Sequence, residues 1–94
     1  MIIRYVKMTF KPAHFMEFEA LFSLVKVDIA GFEGCTGVSL AKEINETGVY
    51  FTTSFWESHE LLERYRNSAL FKSTWEKTKP LFKSPAEAWS LENC

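Results

Sequence analysis

Cysteine is nearly missing from this sequence: Cys35 and Cys94 are the only two, and Cys94 is the last residue. Two cysteines so placed build no disulfide framework, which points to a cytoplasmic chain. Histidine is equally scarce. His14 and His59 fall in different segments, and neither stands at a short ligand spacing from a cysteine, so no metal site is expected. Neither sign of charge dominates, with 11 Lys+Arg against 12 Asp+Glu, and the basic residues are scattered. Nothing tracks a phosphate backbone, so nucleic acid is not an expected partner. No apolar run approaches the ~20 residues that span a bilayer, and MIIRYVKMTF alternates from its start without a basic leader. The few glycines make no phosphate cradle: Gly31, Gly34 and Gly37 are not spaced as G-x-G-x-x-G, and they lead into an extended segment.

Aromatic residues, by contrast, are abundant: nine Phe, three Trp and three Tyr in 94 residues, with 47% of the chain hydrophobic. That length holds one core, so residues 1–94 are read as a single domain. Such a chain buries only ~60–65% of its unfolded surface, which makes a partner a useful source of stability.

Residues 2–10 alternate as a first strand. Pro12 suits the first turn of a helix running from Ala13 to about Lys26, whose Phe15, Phe18, Phe22 and Val25 recur at spacings of three or four. A turn at Gly31–Gly34 leads to a strand over Cys35–Lys42, and Asn45, Thr47 and Gly48 turn the chain into a third at Val49–Trp56. Ser58 is the expected N-cap of a second helical region, Asn67 and Ser68 break its path, and a further helix carries Leu70, Phe71, Thr74 and Trp75. Pro80 and Pro85 bracket an irregular stretch before a short last strand at Ala86–Leu91. The order is the split β-α-β of ferredoxin-like folds, an α+β architecture.

The strands are apolar on both faces. Val49, Phe51, Thr53 and Phe55 point one way and Tyr50, Thr52, Ser54 and Trp56 the other; Ile3 and Tyr5 oppose Ile2, Val6, Met8 and Phe10. A sheet covered on one side by helices ordinarily leaves its other face polar. A second copy of the chain would cover this one, so a homodimer is expected.

Trp56, Tyr65, Arg66, Trp75 and Trp89 are candidates to enclose a cleft between sheet and helices, suited to a planar organic ligand. Each has a plainer role as well. Trp75 and Trp56 serve equally as core, Trp89 as interface, and Arg66 as half of a surface ion pair; the Tyr65 hydroxyl donates either to a ligand or to an internal acceptor.

At this point the segments GFEGC, FTTSFWESHELLERYRNSALF and AWSLE, with the W-x-S turn at Trp56–Ser58, are similar to the antibiotic biosynthesis monooxygenase-like family. The resemblance implies a four-stranded antiparallel sheet and two subunits closing a dimeric α+β barrel. It also implies oxygenation of quinols, anthrones or related electron-rich aromatics without a cofactor. On that reading Arg66 stabilises developing negative charge, Tyr65 or Tyr50 supplies a hydrogen bond, and Trp56 and Trp75 confine the rings. A haem-degrading branch of the same superfamily uses an Asn on the first strand and an iron-binding His; Val6 and Trp75 stand there instead, and tryptophan does not ligate haem iron. A noncatalytic aromatic-ligand-binding or stress-related dimer is the alternative, and an isomerase or decarboxylase would use the same kind of cleft.

Overall fold

The computed structural model describes residues 1–94. Four strands, β1 (Ile2–Phe10), β2 (Cys35–Lys42), β3 (Val49–Trp56) and β4 (Phe82–Glu92), form one antiparallel sheet in the order β2-β3-β1-β4. Three helices, α1 (Phe15–Ala30), α2 (His59–Arg66) and α3 (Ala69–Thr78), join them. No helix is long and apolar enough to cross a membrane.

Pro12 sits in a short 3-10 turn, Pro12–His14, so α1 begins two residues later than expected. It also runs on to Ala30, because Ile29 continues the stripe of Phe18, Phe22 and Val25 and is itself buried. Gly34, at φ +90°, turns the chain into β2, and there is no room for a larger residue: an added Cβ would stand 2.6 Å from Leu61 Cβ. This close approach seats the start of α2 against the sheet. The expected cap is in place, with Ser58 Oγ accepting from Leu61 N at 3.2 Å. Ser68, read from sequence as part of a break, also caps: it ends the path of α2 and accepts from Phe71 N at 3.1 Å to start α3.

The last strand corrects the sequence reading. β4 begins at Phe82, four residues before Ala86, and contains Pro85. An edge strand tolerates this proline because of a bulge. Lys7 pairs with Glu87 and Thr9 with Ser84, so Pro85 and Ala86 together face the single residue Met8.

The inner face of the sheet carries the core. Met8, Phe10, Tyr50 and Leu81 pack with Phe18 and Phe22 of α1, and Phe10 stacks on Phe18 at 4.1 Å between ring centroids. The outer face bears Ile3, Tyr5, Phe51, Phe55, Trp89 and Leu91, with Ile3 opposite both Phe55 and Leu91 and Tyr5 opposite Trp89. No helix of the chain packs on it. Phe55, Trp89 and Leu91 are 36%, 44% and 47% exposed.

Candidate functional site

The inner face is filled at one end and open at the other. Beside Met8, Phe10 and Tyr50 it is close-packed, but toward the start of β1 the inward residues become Val6 and Arg4, and on β3 they shrink to Thr52 and Ser54. The helices cannot settle onto such small side chains, and a cavity of about 80 Å³ remains. Val38 of β2 completes its floor. Met8, at the border with the filled end, Phe18, Leu21, Phe22, Val25 and Ile29 of α1, Tyr65 of α2, and Phe71, Thr74 and Trp75 of α3 form the rest of the wall.

Aromatic rings run continuously along and behind that wall. Trp56 stacks on Tyr65 at 4.8 Å, Tyr65 meets Phe71 edge-on at 5.3 Å, and Phe71 lies nearly parallel to Trp75 at 5.9 Å. Trp75 then abuts Phe82, which reaches the core at Phe10.

The polar groups gather near the start of β1. Arg4 pairs across strands with Ser54, and its Nη1 donates to Ser90 Oγ of β4 at 2.8 Å. It takes part in no salt bridge. Burial, reinforced by the charge of Arg66, lowers its pKa, while Glu63 and Tyr65 act the other way. Burial, with a smaller contribution from Cys35, pushes the Tyr65 phenol up to about 12. Its hydroxyl makes no hydrogen bond within the chain, and at neutral pH it keeps its proton. Ser54 Oγ accepts from Trp56 Nε1 at 2.9 Å.

The residues expected from sequence are thus distributed unequally. Tyr65 and Trp75 line the cavity. Trp56 stands behind Tyr65, 0% exposed, and does not reach the cavity. Tyr50 lies at the filled end of the sheet and donates to Glu19 Oε2 at 2.5 Å. Burial and that carboxylate push its phenol up to about 12. Arg66 does not line the cavity: its Nη1 lies 2.9 Å from Glu63 Oε2 on the surface of α2. The cation that does line it is Arg4 of β1, which is not among the residues expected from sequence. Its parity with Val6, Met8 and Phe10 was the available signal.

Both raised phenols carry a stability consequence with a definite sign. A tyrosine whose pKa is higher folded than unfolded favours the fold while neutral, and that contribution is lost as the pH rises through the folded value. Stability is therefore expected to fall between about pH 10 and pH 12, with phenolate absorbance appearing late. Tyr65→Phe and Tyr50→Phe should each remove one late-titrating group from a spectrophotometric titration; an unchanged curve in both would contradict the assignment.

A pocket with flat apolar walls and hydrogen-bond donors at one end has the shape and chemistry to take a planar body with a polar tip. Comparison with curated proteins finds no match. Among solved structures, a conserved protein from Methanosarcina mazei superposes with a TM-score of 0.92 at 20% identity, covering 100% of this chain and 94% of that one. A Mycobacterium tuberculosis protein gives 0.90 at 15% identity over 99% and 94% of the two chains. A structure titled as an antibiotic biosynthesis monooxygenase gives 0.91 at 11% identity over 100% and 99%. These likenesses concern the fold. The family model for antibiotic biosynthesis monooxygenase matches residues 1–77, and by that match, which takes in β1 to β3 and every residue of the cavity wall, the chain belongs to the antibiotic biosynthesis monooxygenase family.

Proposed function

We propose that the chain is a cofactor-independent monooxygenase that oxidises a small electron-rich aromatic, such as a quinol or anthrone, with O2 in this cavity. The observation that carries the reading is one cation and one neutral phenol at the end of a mostly apolar pocket whose other polar side chains are the hydroxyls of Thr52, Ser54 and Thr74 and the indole of Trp75. Phe71 and Trp75 hold the rings. Tyr65 donates to the substrate oxygen, and Arg4 supplies the positive charge that favours the ionised substrate. Weak solvation strengthens both interactions. Trp56 fixes the plane of Tyr65, Tyr50 fastens α1 to the sheet through Glu19, and Arg66 acts from the surface through Glu63.

The substrate anion gives one electron to O2, and the resulting radical pair joins as a carbon-bound peroxide. Loss of the remaining C–H proton and cleavage of the O–O bond leave a carbonyl and release water, so that the ring CH2 of an anthrone, or of a quinol's keto tautomer, and O2 become C=O and H2O. Two chains work as a homodimer, each covering the other's outer sheet face, in the cytoplasm.

The test is O2 uptake and product formation when a panel of quinols and anthrones is mixed anaerobically with the protein and oxygen is then admitted. Turnover is expected, and Tyr65→Phe or Arg4→Ala should each lower kcat/KM by about tenfold or more. Binding across the panel without turnover would overturn the oxygenase reading. It would favour the second one, a noncatalytic binder of small aromatics, whose supporting observation is that no Asp, Glu, His or Cys lines the cavity.

A further inference from the structure

The polar end of the cavity is one-sided in its chemistry. Six of the lining side chains carry a nitrogen or oxygen, Arg4, Thr52, Ser54, Tyr65, Thr74 and Trp75, and none is a carboxylate or an imidazole. Arg4 spends one N–H on Ser90 and keeps the others. The Ser54 oxygen already accepts the indole proton of Trp56, which leaves its own O–H to give. Tyr65 has a hydroxyl proton and no acceptor within the chain. These are donors without a base. A ligand that must lose a proton on entering would find no side chain there to take it, whereas one that is already an anion meets a cation and two hydroxyl donors.

The surroundings protect that arrangement. Arg4 is half-buried, and a cation beside an apolar cavity is ordinarily drawn to any carboxylate within reach. Glu63 is near enough for its charge to be felt at Arg4. Its carboxylate is instead held by Arg66 at 2.9 Å. Arg4 is left with a neutral serine as its hydrogen-bonding partner.

We propose that the cavity takes its ligand already ionised, as an aromatic body bearing one anionic oxygen group, carboxylate or ionised phenol, seated on Arg4, Ser54 and Tyr65. The Arg66–Glu63 pair is a positioning device that keeps Arg4 free for that anion. The inference rests on the reading that this cavity is the binding site, and concerns binding alone.

Three probes with one ring system separate head group from body: naphthalene, naphthol and naphthoate, titrated calorimetrically without oxygen turnover being involved. At neutral pH naphthoate is expected to bind about tenfold or more tighter than naphthalene. Naphthol should gain affinity as the pH rises and it ionises, while naphthoate stays level over the same range. Arg4→Gln should erase the advantage of naphthoate and leave naphthalene binding intact, which also reports that the fold survives. Arg66→Ala should weaken naphthoate severalfold and naphthalene not at all, and adding Glu63→Gln to it should restore the loss. A merely structural role for Arg66 would weaken both probes and would not be rescued. Equal affinity for naphthoate and naphthalene, indifference of naphthoate to Arg4→Gln, or failure of all three probes to bind would each overturn the proposal. Binding in the expected order with no O2 uptake from any quinol would sink the oxygenase reading and leave this one standing.

Discussion

Phe55→Asp is expected to turn the proposed dimer into a monomer of 10.9 kDa. Phe55 is 36% exposed on β3, an interior strand, and faces Ile3 across the β1 pairing, so it sits within the apolar outer face. Covering that face with a second copy would bury a carboxylate that has no partner. The penalty of about 3 kcal/mol or more corresponds to at least a hundredfold rise in the dimer dissociation constant. The substitution points away from the core, so the monomer should keep its helical circular dichroism. Sedimentation velocity on wild type and variant decides the matter, and a wild-type chain that sediments as a monomer at high concentration would contradict the proposed barrel closure.

Trp56→Ala carries the largest expected loss of stability, about 3–5 kcal/mol, because a fully buried indole leaves a hole that its neighbours cannot fill. Three contacts go with it: the stack on Tyr65 at 4.8 Å, the edge contact with Phe32 at 6.4 Å, and the 2.9 Å donation to Ser54. Against a total of ~5–15 kcal/mol for a small domain, that is a large fraction. The midpoint of urea unfolding should fall with little change in slope. Losing its backing, Tyr65 should also titrate earlier than about pH 12. A cost below ~1 kcal/mol would mean that the site is not built upon Trp56.

Much of this was legible in the sequence for identifiable reasons. Alternation on β1 and β3 assigns each residue to a face, and those faces are the ones observed. The Phe spacing of α1 and the cap at Ser58 follow from local rules that tertiary packing did not override. Pro85 misled because a proline's place in a strand depends on which N–H the neighbour needs, and the bulge opposite Met8 is a property of the pairing.

The site was harder to read than the fold. Arg66 follows Leu62 by four residues and so begins on its buried face, but it closes α2 and reaches back to Glu63 instead. Tyr50 shares its face with Thr52 and Ser54, yet the cavity opens only where side chains are small, and Tyr50 lies where they are large. Arg4 was hidden by the habit of placing charge outside. Parity alone put it inside, and its meaning depends on Glu63 being occupied elsewhere, which no local pattern reveals.

The three tryptophans offer the most direct test of where a ligand binds. Trp75 lines the cavity, Trp56 stands one ring behind it, and Trp89 lies on the opposite face of the sheet. Their indole N–H resonances can be followed by NMR while an anaerobic quinol is titrated into labelled protein. The expected result is a large shift at Trp75, a smaller one at Trp56 and none at Trp89. A shift confined to Trp89, with Trp75 unmoved at saturation, would place the ligand on the outer face and contradict the assignment of the cavity as the working site.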